Sequence, residues 1–311
     1  MYYIVYGLLY AISLLPMPVL YLLSDGVYVL LYYMIGYRKK VVKDNLMIAF
    51  PEKTDEERRK IMKDFYRNFV DNFIEMLKLF SASKNFILQS FEIDNPEVYE
   101  KLYKENRKCQ LHLGHTFNWE IAGMVMPLRT LYTFIVIYMP LGNKILDRVF
   151  FRMRSRTGTV FVPATQTRKS LVPYRNSLYM LALVADQAPG SPSNAHWLNF
   201  FGRPTPFVKG PERGARTGNI PPLFIYFYKP KRGHYRARIE VGSLNPSETQ
   251  EGELTRNYVR FLERSIREQP ALWLWSHRRW KHEWKEEYSE LWMDKDPMPS
   301  IPRKDPSIRN D

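Results

Sequence analysis

The chain has 311 residues, with 46 Lys and Arg against 32 Asp and Glu, and one cysteine. Hydrophobic residues at 45% and charged residues at 25% give material for a sizeable core and exclude a disordered chain, while the lone thiol, Cys109, excludes an internal disulfide. A net charge of +14 calls for an acidic partner, which is nucleic acid, an anionic membrane surface, or an acidic protein or ligand.

In chain order, the first segment is apolar. Residues 1–24 form a run of about the length that crosses a bilayer, and Asp25 is its nearest carboxylate. Pro16 and Pro18 interrupt the run, so it spans as a bent helix or re-enters as a hairpin. Tyrosines at 2, 3, 6, 10, 21, 28, 32, 33 and 37 suit the membrane interface. The segment has no basic n-region and does not read as a cleavable signal peptide. The competing reading is a pair of buried core helices. Arg38, Lys39, Lys40 and Lys43 follow at once, and the positive-inside rule then places the rest of the chain in the cytoplasm. The expected organisation is a membrane anchor over 1–37, a cytoplasmic domain over 38–295 and a flexible, proline-rich tail over 296–311.

Thr54 to Glu57 reads as a capping box that opens a helix, with an apolar stripe of Ile61, Phe65, Phe69, Phe73, Met76 and Phe80. Strands are expected at 108–113, 131–138, 159–162, 178–185, 223–228, 235–241 and 271–275. Helical patterns lie between them, near 118–126, 142–155, 207–218 and 252–268. This alternation predicts an α/β fold with a central, mostly buried sheet flanked by helices.

The run "HLGHTFNWE", residues 112–120, carries the chemistry. His115 falls in the turn after the strand at 108–113, at the strand end where open α/β sheets place ligands. Glu120 falls in the first turn of the next helix, from where it can fold back to orient and charge-stabilise the imidazole. No serine or cysteine nucleophile accompanies them, so the nucleophile is a substrate alcohol or amine that His115 deprotonates. The plain alternative is a loop histidine beside a glutamate favoured by the helix dipole.

"GHTFNWE" looks like the H-x4-D/E block of the late lipid A acyltransferases. The resemblance extends over "RKKVVKDNLMIAFPE", "FRMRSRTG", "LVADQAPG", "FFGRPTPF" and "LWLWSHRRWK", in that order, and covers about residues 1–285. It departs from the family pattern at Thr116–Phe117 and at Pro206–Phe207. The resemblance implies a glycerolipid-acyltransferase-like fold at the bacterial inner membrane, with the catalytic domain facing the cytoplasm. It implies transfer of an acyl chain from acyl carrier protein to a hydroxyl of a 3-hydroxyacyl chain on a lipid A precursor.

On that resemblance, His115 is the base, with Glu120 behind it. Arg152 matches the functional arginine and is the expected oxyanion partner, with Arg154 and Arg156 as neighbours that serve equally by position. Asp186 matches the aspartate of the family's D-Q pair and orients the acceptor or His115. Substrate contacts are expected from Asn118, Arg154, Gln187 and Arg203, and from His277, Arg278, Arg279 and Lys281 in the basic, tryptophan-rich run. That run suits a membrane interface and glycolipid phosphates. No metal spacing, P-loop or dinucleotide fingerprint occurs, so no cofactor and no nucleic-acid partner is expected. Two other readings stay open: an acyltransferase with another lipid acceptor (a glycosylated phospholipid or an aminolipid), and a non-catalytic membrane-tethered protein that binds anionic lipid or nucleic acid.

Overall fold

The computed structural model describes residues 1–299, so most of the expected tail lies outside the described residues. Two apolar helices open the chain, α1 (Tyr2–Ser13) and α2 (Met17–Val29), and a π-helical turn prolongs the second to Ile35. Pro16 separates them in extended conformation. Among the described residues, Met17–Ile35 is the one helix long and apolar enough to cross a membrane.

Helix α2 is apolar on both faces, unlike a helix at a water-facing surface. Leu20, Ser24, Tyr28 and Tyr32, one turn apart, face the body, whereas Val19, Leu22 (72% exposed), Leu23, Val27 and Met34 (76% exposed) face outward. The inner face is held by polar groups: the Ser24 hydroxyl donates to Asp71 at 2.7 Å, and Asp25 pairs with Arg232 at 2.7 Å. Lys78 donates to the carbonyls of Ser13 and Leu15, both at 3.0 Å, and so caps the end of α1.

After α3 (Lys39–Ala49), the capping box opens α4 (Asp55–Lys78) as expected: Thr54 and Glu57 exchange bonds of 2.7 and 3.2 Å. The expected apolar stripe is broken. Phe65 and Met76 are buried, but Phe73 is 44% exposed, and Asp71, Asn72 and Glu75 are buried instead. The reason is the partner: α4 packs on α2, whose Tyr21 and Ser24 hydroxyls meet Glu75 and Asp71.

The main sheet follows. Short β1 (Phe91–Ile93) lies between α5 (Lys84–Ser90) and α6 (Glu97–Lys104). Then come β2 (Cys109–Leu113), α7 (Trp119–Arg129), β3 (Thr133–Tyr138), α8 (Lys144–Arg154), β4 (Val160–Pro163), α9 (Thr167–Leu171) and β5 (Tyr179–Val184). A hairpin of β6 (Ala195–Phe200) and β7 (Arg203–Val208) precedes α10 (Gly210–Gly218), β8 (Pro222–Lys231), β9 (His234–Val241) and α11 (Glu253–Glu268). The seven strands of the sheet run in the order β1-β9-β8-β2-β5-β3-β4. All pairs are parallel except β8–β9.

Every expected strand falls in this sheet except 271–275, which is a correction. That stretch leaves α11 through Pro270 and bonds the loop that follows β2: Phe117 N–H donates to Leu272 O at 3.0 Å, and Leu274 N–H to His115 O at 3.1 Å. Its buried Trp273 and Trp275 cover that loop, which is why an apolar run here is not a sheet strand. The β6–β7 hairpin was not expected, because Pro204 and Pro206 speak against a strand. In a two-strand ribbon each strand has a free edge, and the tight turn uses Phe201 and Gly202, both at positive φ (54° and 72°). The helix expected at 207–218 therefore starts later, at Gly210.

Candidate active site

In β2 and β5 the register pairs Leu111 with Ala182 and Leu113 with Val184. Extended by two residues, it brings His115 and Asp186 side by side on the same sheet face. The Asp186 carboxylate accepts from His115 Nδ1 at 2.6 Å and from the His115 backbone N–H at 2.8 Å. It also accepts from Trp273 Nε1 at 2.7 Å. Burial alone would raise the Asp186 pKa, but the electrostatic attraction of His115 and these bonds outweigh it and hold the carboxyl below the ordinary range. An ionised Asp186 keeps the neutral imidazole's proton on Nδ1, leaving Nε2 as the lone-pair nitrogen. His115 Nε2 lies 3.2 Å from the Gln187 amide nitrogen. Gly114 permits the close approach: a Cβ there would lie 2.7 Å from Leu262 Cδ1 and 3.2 Å from Asp186 Oδ2.

The expected pairing of Glu120 with His115 is thus corrected to Asp186 with His115. Glu120 instead forms a two-pronged pair with Arg154: Nε donates to Oε2 at 2.8 Å and Nη2 donates to Oε1. Burial disfavours the Arg154 cation, yet Glu120 outweighs it and holds the guanidinium pKa above its usual value. Trp119 joins the two groups, its indole N–H on Glu120 at 3.2 Å and its ring edge-on to His115 at 5.8 Å.

A cavity of about 730 Å³ opens beside His115. It crosses the sheet beneath α7 and touches every strand, from Phe161 of β4 to Phe91 of β1. Its floor is the alternate-residue face of the strands, such as Leu111 and Leu113, or Ala237 and Ile239. Ala182 and Ala237 below, with Ala122 and Gly123 above, leave the room. His115, Glu120, Arg154 and Gln187 supply its polar and charged groups, and its size is that of a small-molecule site.

The other expected site residues stand elsewhere. Arg152 is corrected: two residues before Arg154, it points about 200° away around α8. There it lies over the Tyr6 ring at 4.8 Å, with the Tyr2 hydroxyl at 3.4 Å. Arg156 donates to the carbonyls of Leu79 and Phe80, a structural clamp. Asn118 is fully buried as the N-cap of α7, accepting from the N–H groups of Glu120 and Ile121 at 3.1 and 3.2 Å, so it is not a substrate contact. Arg203 opens β7, half-buried and outside the cavity wall.

His277 also lies outside that wall. It accepts the Ala188 N–H at 3.1 Å, and burial together with the Arg279 charge lowers its pKa to about 4. It latches the loop that follows Asp186. Arg279 is buried in the β6–β7 hairpin, donating to Pro206 O at 2.8 Å beneath Phe207, and burial lowers its pKa to about 9. Arg278 and Lys281 are exposed and line no part of the cavity. Sequence reasoning missed Trp273 as the third donor to Asp186. An indole in an apolar run was the one signal, and only the fold shows where it points.

The chain matches the family of bacterial lipid A biosynthesis acyltransferases over residues 1–282. It is 21% identical over 276 residues to the lipid A biosynthesis palmitoleoyltransferase of Escherichia coli (strain K12), covering 88% of this chain and 89% of the relative. A lipid A biosynthesis acyltransferase of Shigella flexneri shows the same identity and coverage. With a buried carboxylate behind a histidine at the mouth of an apolar cavity, and a family match over nearly its whole length, the chain belongs to the bacterial lipid A biosynthesis acyltransferase family.

Proposed function

We propose that this protein transfers a fatty acyl chain from acyl carrier protein to a hydroxyl of a 3-hydroxyacyl chain on a lipid A precursor. The observation that carries the reading is the His115–Asp186 pair opening onto the apolar cavity. His115 Nε2 takes the hydroxyl proton as the oxygen attacks the thioester carbonyl carbon. Asp186 stabilises the imidazolium, and Gln187 and Arg154, which line the cavity, are the donors we assign to the tetrahedral oxyanion. The C–S bond then breaks, the imidazolium returns its proton to the leaving thiolate, and an ester and a free thiol result. The acyl chain lies in the cavity, shielded from water.

The acceptor is reached from the membrane. The outward residues of α1 and α2, including Ile4, Leu8, Leu22 and Met34, form an apolar face whose natural solvent is lipid. Arg148 and Arg152 stack on Tyr2 and Tyr6 at its border, an arrangement suited to headgroups. We place the protein at the bacterial inner membrane with the catalytic domain on the cytoplasmic side, where Arg38, Lys39, Lys40 and Lys43 lie.

The test is reconstitution of purified protein with acyl-loaded carrier protein and a lipid A precursor in mixed micelles, read by mass spectrometry of the lipid. The expected product is the acceptor plus one acyl chain. Acylation of a glycosylated phospholipid or aminolipid in its place would overturn the acceptor assignment, and transfer from acyl-coenzyme A alone would overturn the donor.

A further inference from the structure

Glu75 is a carboxylate buried in the last turn of α4, and the proposed reaction does not use it directly. Three donors converge on it from three parts of the chain. The Tyr21 hydroxyl of α2 reaches Oε1 at 2.9 Å. Asn118 Nδ2, at the start of α7, and the Tyr235 hydroxyl of β9 reach Oε2 at 2.8 and 2.6 Å. One helical turn earlier, Asp71 accepts from Ser24 of α2 at 2.7 Å and pairs with Lys229 and Arg232 near the β8–β9 turn. The outward-apolar helix α2 is therefore fixed to the body through two buried carboxylates on one face of α4.

Asn118 is the link to the site. Its Nδ2 donates to Glu75, while its Oδ1 caps α7 at Glu120 and Ile121. His115 lies three residues before it, and Glu120, which holds Arg154, two residues after it. An N-cap needs no buried carboxylate behind it, and burying one is costly unless it is fully bonded. Tyr21 is one of the three groups that complete the bonding here, and it comes from the helix that faces the lipid.

We propose that Glu75 is a positioning residue that makes the setting of the His115–Glu120 segment depend on the seating of α2, through the chain Tyr21–Glu75–Asn118. This rests on the assignment of His115 and Asp186 as the reacting dyad. Seating of the anchor then acts on turnover, and not only on how often the enzyme meets its lipid.

The experiment uses full-length protein in mixed micelles, with Tyr21→Phe, Glu75→Gln, Glu75→Leu and the double variant Tyr21→Phe/Glu75→Leu. Hydrogen exchange of the peptide spanning 117–122 is measured beside steady-state kinetics with acyl-loaded carrier protein. Tyr21→Phe is expected to speed exchange in that peptide and to lower kcat by about 3–10-fold, the range for one hydrogen bond, with KM for the carrier protein unchanged. Glu75→Gln keeps an oxygen for Asn118 and Tyr235, and its amide can donate to a rotated Tyr21 hydroxyl, so it restores both readouts. Glu75→Leu costs more than Tyr21→Phe, and adding Tyr21→Phe to it costs nothing further. Unchanged exchange over 117–122 in Tyr21→Phe overturns the proposal, as do independent, multiplying effects in the double variant. Should Glu75→Leu not fold, faster exchange in Tyr21→Phe and near-wild-type exchange in Glu75→Gln still decide. An active His115→Ala would overturn the dyad and leave the exchange result to stand or fall alone.

Discussion

His115 and Asp186 occupy directly opposed positions in the extended β2–β5 register, two residues beyond the pair Leu113–Val184. Parallel strands that end together deliver two side chains to one point without any loop search, and Gly114 removes the one Cβ that would hold them apart. His115, the proposed base, is thus positioned by the strand register. His115→Ala is expected to lower turnover by roughly 10²–10⁴-fold. Asp186→Asn is expected to fall in a similar range, because the amide no longer enforces the Nδ1–H tautomer. The double variant should lose little more than either alone. Turnover near wild type in Asp186→Asn, with His115→Ala inactive, would show that the carboxylate is structural only.

A pH effect follows from His277. Its folded pKa of about 4 lies below the ordinary 6.5, so between these values the unfolded chain binds the extra proton. This contribution to stability is full above about 6.5 and is lost as pH falls toward about 4. Protonated His277 cannot accept the Ala188 N–H, so in the folded protein the loop after Asp186 loses this bond only as pH falls to about 4 and below. Melting temperatures from pH 7.5 to 4.5 should drop more steeply for wild type than for His277→Gln, whose amide oxygen accepts at every pH. Parallel slopes would assign the acid sensitivity to other groups.

Residues 1–37 are not a detachable anchor, because Tyr21, Ser24 and Asp25 complete the bonding of buried Glu75 and Asp71 and of Arg232. Deleting them should leave two buried carboxylates short of partners and give a poorly folded protein. Charges on the outer face should instead separate folding from membrane binding. Leu22→Glu with Met34→Glu is expected to fold normally and to lose flotation with anionic vesicles. A truncated protein that folds with the wild-type melting temperature would refute this account of the interface.

The sheet was legible because its strands are apolar runs of the right length, and His115 stood out because it follows one of them. Its partner was not legible from spacing, since a register offset of 71 residues becomes visible only when β2 and β5 are neighbours; the family resemblance alone pointed to Asp186, and it left the acceptor and His115 open as its target. Glu120 drew attention by spacing, but Asn118 caps α7 in a direction that sends Glu120 to Arg154. The choice between Arg152 and Arg154 is a matter of helix phase, and the sequence does not say which side of α8 meets the cavity. The apolar tryptophan run at 271–275 looked like a strand because burial, not sheet pairing, sets its composition.

On the proposed reaction the positive charge serves two substrates, and salt should tell them apart. A carrier-protein donor would arrive by diffusion, so its encounter would depend on exposed charges. Arg168 and Lys169 on α9 are exposed and follow Ala164, which lines the cavity, so they stand within a few residues of the route into it. Charges of this kind are screened over about 8–10 Å at physiological ionic strength. The lipid acceptor, on the proposed reading, is reached within the membrane along the apolar face of α1 and α2, so its encounter depends less on exposed charge. Raising salt is therefore expected to increase KM for the acyl-loaded carrier protein more than KM for the lipid acceptor. Arg168→Glu with Lys169→Glu should do likewise at low salt and leave kcat almost unchanged. A two-substrate kinetic series in micelles of fixed composition measures both. Equal salt effects on the two substrates would mean that α9 is not where the carrier protein docks.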